Sequence, residues 1–108
     1  MKARDIRDMV HFSDEGPVHR TLFDTDHLWS EILCLDGSQG VGPIGDATSD
    51  ALVAVLAGEI AAQIDKGRTR MGQWDSILVP AGAQLTMRNA SEEPAVVLVV
   101  VAPPPAAG

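Results

Sequence analysis

The sequence predicts an all-β domain of the sandwich or barrel type, and three observations support this fold class. The length of 108 residues leaves room for one domain. Short apolar segments recur along the chain and end at turn-forming residues, a spacing typical of sandwiches and barrels. The clearest segment, residues 95–102, holds five valines in eight residues, which strongly favours a strand.

The predicted strands end where proline, glycine, asparagine or aspartate interrupts an apolar run. Asp36-Gly37 ends one strand, Pro80-Ala81-Gly82 ends another, and Asn89 begins the break before the last one. On this basis we expect strands at residues 18–23, 28–35, 74–79, 84–88 and 95–102.

Residues 49–66 fit two structures. Leu52, Leu56, Ile60 and Ile64 lie at helical spacing, and the many alanines favour a helix. A β-hairpin that turns at Gly58-Glu59 is the alternative, and we predict the hairpin because the rest of the chain is β.

The first strand of this hairpin is apolar on both faces. Alternate positions place Ala51, Val53 and Val55 on one face, and leucine or alanine also occupies the other face. A sheet with one wet face would alternate apolar and polar residues instead. We therefore expect the N-terminal strands or a second copy of the chain to cover the outer face.

Charge and cysteine content restrict the possible functions. Eight Lys and Arg against 15 Asp and Glu give a net charge of −7, which opposes binding to nucleic acid or to an anionic membrane. The start of the chain has no signal-peptide pattern, so we expect a cytoplasmic protein. Cys34 is the one cysteine, and its apolar neighbours Leu33 and Leu35 predict a buried, inert thiol.

Two sequence motifs resemble those of the cupin superfamily, from about residue 28 to 102. Asp75, Pro80, Gly82 and Asn89 stand at the matching positions of the second cupin motif, and Gly58 closes the first. Fifteen residues separate Gly58 from Trp74, as in compact cupins. The resemblance implies a double-stranded β-helix, or jelly-roll, barrel with an N-terminal arm, spanning residues 1–102 as a single domain. Residues 103–108 form a proline- and alanine-rich tail, expected to be extended and mobile.

The positions that hold metal in this superfamily are substituted here. Its pattern places three histidines and a glutamate where this chain has Ile44, Asp46, Leu85 and Ala51. The resemblance therefore implies a barrel without a metal. Asp46 and Asp50, joined by an N-terminal histidine, form the weaker alternative, a divergent site for a divalent transition metal.

We interpret the three histidines and Trp74 first as structural residues rather than as functional ones. His11, His19 and His27 all precede the motifs, and a lone histidine on a strand is usually a surface or core residue. No histidine lies inside the motifs and tyrosine is absent, which argues against the acid–base chemistry of metal-free sugar epimerases of this fold. Trp74 is expected to fill or line one end of the barrel.

The function expected from these observations is a metal-free binding or structural module rather than an enzyme. A homodimer is expected, with a small apolar ligand as a possible second partner. The alternative is a small cupin enzyme, of isomerase or dioxygenase type, with the divergent metal site. An apolar barrel interior is the default ligand site, and the expected pocket residues are Ile44, Asp46, Ala51, Val53, Trp74, Leu85 and Met87.

Overall fold

A computed structural model describes residues 1–105 and confirms the all-β jelly-roll barrel. The described strands form two facing antiparallel sheets, of five strands in the order β1-β2-β9-β4-β7 and of four in the order β3-β8-β5-β6. The strands are β1 (Val18–Asp24), β2 (Trp29–Leu35), β3 (Gly40–Ile44), β4 (Asp50–Ala57), β5 (Ile60–Ile64), β6 (Gly67–Met71), β7 (Ser76–Val79), β8 (Leu85–Arg88) and β9 (Ala95–Ala102).

Strand register arranges the inward side chains of the five-stranded sheet in rows. Trp29, Val101, Ala51 and Val79 are cross-strand partners in the first row. Glu31, Val99, Val53 and Ile77 form the second row. Leu33, Val97 and Val55 form the third, and Leu35 and Ala95 the fourth. Because every second residue of a strand faces the same side, these rows face the other sheet and build the main core.

The predicted hairpin in residues 49–66 is confirmed. Strands β4 and β5 are joined through Gly58, which has φ of +79°. A Cβ atom at this position would lie 2.6 Å from the carbonyl oxygen of Pro94. Both the backbone conformation and the close approach therefore require glycine.

Two turns in the second motif have the local roles that the sequence indicates. Gly82 has φ of +89°, and the Ala83 N–H donates to the carbonyl oxygen of Pro80, 3.0 Å away. Asn89 is fully buried, and its amide nitrogen donates to the carbonyl oxygens of Leu35 at 3.0 Å and Glu93 at 2.7 Å. Asn89 thus holds the corner between β8 and β9.

The sequence analysis missed two strands and placed the start of another too early. β3 contains glycines and a proline, and β6 is largely polar and exposed, so neither shows an apolar alternation. The strand predicted at residues 74–79 begins at Ser76. Trp74 has φ of +76° and stands in the turn closed by the Asp75 N–H donating to Gly72, so it precedes the strand.

The N-terminal arm covers one half of the outer face of the five-stranded sheet. It contains a short 3-10 helix, Ile6–Met9, and its apolar side chains pack with Ile32, Cys34, Val96 and the partly buried Leu56. Cys34 is fully buried there, as predicted, and accepts a hydrogen bond from the His11 N–H at 3.5 Å. Burial raises the pKa of the Cys34 thiol, against smaller opposing effects of that N–H and of Arg20.

The other half of this outer face is uncovered. Val100, Leu52 and Leu78 are direct cross-strand partners on β9, β4 and β7. Leu52 is 43% exposed and Leu78 61%, beyond the reach of the arm.

The tail is described as far as Pro105. The Ser49 hydroxyl donates to the carbonyl oxygen of Pro103 at 2.7 Å, and Pro105 contacts the barrel mouth. A mobile tail stays a prediction, and residues 106–108 lie outside the described residues. No helix within residues 1–105 is long and apolar enough to cross a membrane.

Candidate functional site

A cavity of about 290 Å³ lies between the two sheets at one end of the barrel. Its wall on the five-stranded side is the first two rows of inward side chains, including Ala51, Val53, Val99 and Val101. Ile44 and Leu85, from β3 and β8, form part of the wall on the other side. Below the cavity the interior is closed, because rows three and four pack in the core with Ile60, Met71 and Met87 of the other sheet.

Five of the seven expected pocket residues line this cavity, namely Ile44, Asp46, Ala51, Val53 and Leu85. Four of them, Ile44, Asp46, Ala51 and Leu85, are the residues that the sequence analysis aligned with the metal ligands of the cupin superfamily, and the structure brings these four residues to one space. Three of the four are hydrocarbon side chains.

The other two expected pocket residues lie elsewhere. Met87 is 1% exposed and faces inward, but it is packed in the core below the cavity, one alternate position further along β8 than Leu85. Trp74 is 76% exposed and lies outside the cavity. Its position in a left-handed turn turns it away from the interior, so its assignment to the barrel end is wrong.

A histidine and a glutamate that the sequence analysis did not place together meet in the cavity. The Nδ1 atom of His19 lies 3.2 Å from both carboxylate oxygens of Glu31. The side chain of Glu31 is 10% exposed and that of His19 is 49% exposed, so Glu31 lies in the interior and His19 lies nearer the mouth. The sequence analysis interpreted His19 as a surface or core residue, and the structure places it at the cavity.

One signal in the sequence does indicate Glu31. In β2 the positions Trp29, Glu31, Leu33 and Leu35 share one face, so a carboxylate stands in an otherwise apolar inward series. Such a buried charge requires a partner. His19 carries no comparable signal, because its partner depends on the pairing of β1 with β2.

Polar groups at the mouth come from the loop before β4. Asp46 lines the cavity, and its carboxylate accepts hydrogen bonds from the Thr48 N–H at 2.8 Å and the Thr48 hydroxyl at 3.0 Å. Ser49 is 3% exposed, and its hydrogen bond to the carbonyl oxygen of Pro103 holds the tail at this end of the barrel.

The residues proposed for a divergent metal site do not assemble into one. Asp50 is exposed, and its carboxylate accepts the Ala81 N–H at 2.9 Å rather than facing the cavity. Within residues 1–105, no group of three or more His, Cys, Asp or Glu side chains is placed to hold a metal ion.

Comparison with known proteins identifies the same fold and a family. The family model described as "Cupin domain" matches residues 33–101. No curated protein matches the sequence.

Several solved structures resemble the chain along nearly its whole length. TT1209 from Thermus thermophilus is 24% identical, with 95% of this chain and 98% of that chain covered and a TM-score of 0.90. SPY1581 from Streptococcus pyogenes, a protein of unknown function, is 28% identical, with 97% and 90% covered and a TM-score of 0.80. A Klebsiella pneumoniae protein with a double-stranded β-helix domain is 18% identical, with 100% and 94% covered and a TM-score of 0.89.

Proposed function

The chain belongs to the cupin family, and on that premise we propose that its barrel is a metal-free module that binds a small, mostly apolar molecule. The observation that carries this proposal is the cavity between the sheets, walled by hydrocarbon side chains and bordered by a few polar groups at its mouth. This combination is typical of small-molecule sites, and the volume of about 290 Å³ is near the lower end of their range.

The metal-free part of the proposal rests on Leu85, Ile44 and Ala51. Their hydrocarbon side chains border the space that a metal ion would occupy. Burying an ion against them would remove its hydration without supplying donors, which costs several kcal/mol. Protein purified without chelator should therefore carry well under one equivalent of transition metal by elemental analysis. A stoichiometric ion retained through dialysis would contradict this part.

Titration with hexan-1-ol, followed by two-dimensional amide NMR, tests the binding function. Ala51 faces the cavity, whereas Ala54 on the same strand faces outward. Ala51→Leu should fill the cavity and weaken hexanol binding by about tenfold or more, because the new side chain occupies the ligand's volume. Ala54→Leu, the matched control, should leave it unchanged. Saturable binding that is equally strong in both variants would place the site elsewhere and overturn the proposal.

The His19–Glu31 pair favours a second candidate function, proton transfer at carbon. With Nδ1 directed at the carboxylate, Nε2 can take a proton from the carbon next to a carbonyl, leaving an enolate, and then return it with no redox change. Protein in D₂O should then introduce deuterium into cyclohexanone faster than buffer does, and His19→Gln should abolish the difference. Equal rates for wild type and variant would exclude this activity.

We further propose that two copies pair through the uncovered half of the outer face. The patch formed by Leu52, Ala54, Leu78 and Val100 carries no charge, so chains with net charge −7 can approach there. Trp74, in the turn that precedes β7, is 76% exposed. A standard interface buries about 800 Å² per partner, of which one Trp supplies about 150–250 Å². A two-fold axis would set the two identical apolar rows face to face.

Sedimentation tests the pairing. Wild type should sediment at twice 11.4 kDa at micromolar concentration. Leu78→Lys should shift the population to monomer, because a buried lysine without a partner opposes association. Thr86→Lys, on the exposed face of the other sheet, should remain dimeric. A wild-type species of 11.4 kDa alone would overturn the dimer.

A further inference from the structure

The outer face of the four-stranded sheet carries three of the chain's eight lysines and arginines close together. Arg68 and Arg70 are on β6 and Arg88 is on β8, with β5 between these two strands, and all three are exposed. Strand register makes Arg70 and Arg88 the cross-strand partners of one residue, Ala61, from its two sides. Arg68 lies one row further along, where its partner is Gln63. An acidic chain thus has a basic patch on one sheet face.

The three arginines border one groove of about 690 Å³ rather than separate stretches of surface. Ala61 and Gln63 lie along its middle, because β5 runs between the strands that carry the arginines. Neighbouring strands are about 4.8 Å apart, so the Cα atoms of Arg70 and Arg88 are separated by about 10 Å. The small side chain of Ala61 leaves the space between them open, and both long arginine side chains can reach a group held above it.

The guanidinium groups of this patch have no acceptor in the part of the chain that the structure describes. Within residues 1–105, no hydrogen bond or ion pair joins any of the three to another residue. No aspartate or glutamate is among the described residues that line the groove. Asp75 lines a neighbouring groove with Arg70, but its carboxylate accepts the Gly72 N–H at 2.8 Å. The patch therefore offers three positive charges to an anion from outside the chain.

We propose that this groove binds the diphosphate group of a small phosphorylated molecule. One phosphate lies above Ala61 between Arg70 and Arg88, and the linked phosphate lies above Gln63 near Arg68. The planar guanidinium of arginine donates two parallel hydrogen bonds to phosphate oxygens, which makes arginine well suited to such groups. The groove is on the outer face of the four-stranded sheet, so this site is separate from the cavity between the sheets.

A phosphate fits the arrangement better than a carboxylate does. Its three terminal oxygens point in different directions, so arginines on opposite sides of Ala61 can bind the same group. A carboxylate presents two oxygens in one plane and pairs with one guanidinium fork. A small anion also avoids the repulsion that a nucleic acid would meet from a chain of net charge −7, since charges beyond about 8 Å are largely screened.

Titrations with pyrophosphate, orthophosphate and citrate at neutral pH and low ionic strength test the site by calorimetry and amide NMR. Pyrophosphate should bind about tenfold or more tightly than orthophosphate, because the second phosphate adds hydrogen bonds between charged groups. The largest amide shifts should lie in β5, β6 and β8. Citrate, which carries three carboxylates, should bind more weakly than pyrophosphate.

Variants assign the two phosphate positions. Arg88→Gln should weaken both phosphate anions about tenfold, because it removes one of the two forks at the first position. Arg68→Gln should weaken pyrophosphate several-fold and leave orthophosphate nearly unchanged. Arg20→Gln is the matched control, because it removes an exposed arginine of β1 on the other sheet and changes the net charge equally. It should leave both affinities unchanged.

Three results would overturn the proposal. The first is the absence of saturable pyrophosphate binding, or binding whose amide shifts lie away from β5, β6 and β8. The second is an equal loss of affinity in Arg20→Gln and Arg88→Gln, which would show an effect of net charge alone. The third is citrate binding as tightly as pyrophosphate, which would show a site without preference for phosphate. All three substitutions are at exposed positions, so the variants should fold as the wild type does.

Discussion

The two ends of the barrel are built on the same strands but differ in what fills them. At the open end, rows one and two of the five-stranded sheet border a cavity of about 290 Å³, opposite Ile44 and Leu85. At the packed end, rows three and four contribute Leu33 and Leu35, which meet Ile60, Met71 and Met87 of the other sheet. The side chains that the four-stranded sheet sets against this register therefore distinguish an open end from a packed end.

Polar groups follow the same division. At the packed end, Asn89 is fully buried and its hydrogen bonds go to the backbone of Leu35 and Glu93 and to Ser91. At the open end, His19, Glu31 and Asp46 are among the residues that line the cavity. The first group lies in the closed core, and the second group lies at the cavity.

The largest effect that follows from this comparison is expected at Met87. Met87→Ala removes a fully buried side chain from the packed end and leaves a void that the neighbours fill only partly. We expect the free energy of unfolding to fall by about 3 kcal/mol, measured by urea denaturation. A loss below about 1 kcal/mol would mean that this end is not closely packed.

A smaller loss is expected at the corner of the packed end. Asn89→Ala removes the donors that satisfy the carbonyl oxygens of Leu35 and Glu93. Because unsatisfied buried groups bear a desolvation cost, stability should fall by about 2 kcal/mol. Ser76→Ala, at an exposed position of β7, is the control and should change little. Equal losses in both variants would show that the Asn89 hydrogen bonds contribute nothing specific.

The smallest effect compares two valines on β9 directly. Val97 lies in row three and Val99 in row two, both facing inward and both nearly fully buried. Val97→Ala should cost about 2 kcal/mol and Val99→Ala about 1 kcal/mol less, because Val99 already borders empty space and loses fewer contacts. Thermal and urea unfolding of the pair measure the difference. An inverted order would contradict the division into two ends.

Much of the fold was predictable because local chemistry determines it. Residue type alone predicts the structure of three segments: the valine-rich β9, the turn at Pro80 to Gly82 and the glycine at position 58. β3 and β6 were missed because their positions in the sheet, rather than their side chains, make them strands. Alternation along β4 placed Ala51 and Val53 on one face, and the resemblance to the cupin motif placed Leu85 in the barrel interior.

The polar part of the site was harder to predict. His19 reaches Glu31 only through the pairing of β1 with β2, where a bulge between Thr21 and Phe23 shifts the register. Trp74 was expected at one end of the barrel because it was placed at the start of a strand, whereas it stands in the turn that precedes β7. A sequence pattern predicts least about residues whose roles depend on contacts between distant segments of the chain.

The most direct test of the central claim is to locate a bound probe by intermolecular nuclear Overhauser effects. Hexan-1-ol, in protein with labelled valine methyl groups, should give effects to Val53 and Val99 at the open end. It should give none to Val55 and Val97, which are two residues away on the same strands and face the same side. Effects confined to outward-facing Val96 and Val100, or none at saturating hexanol, would contradict the account.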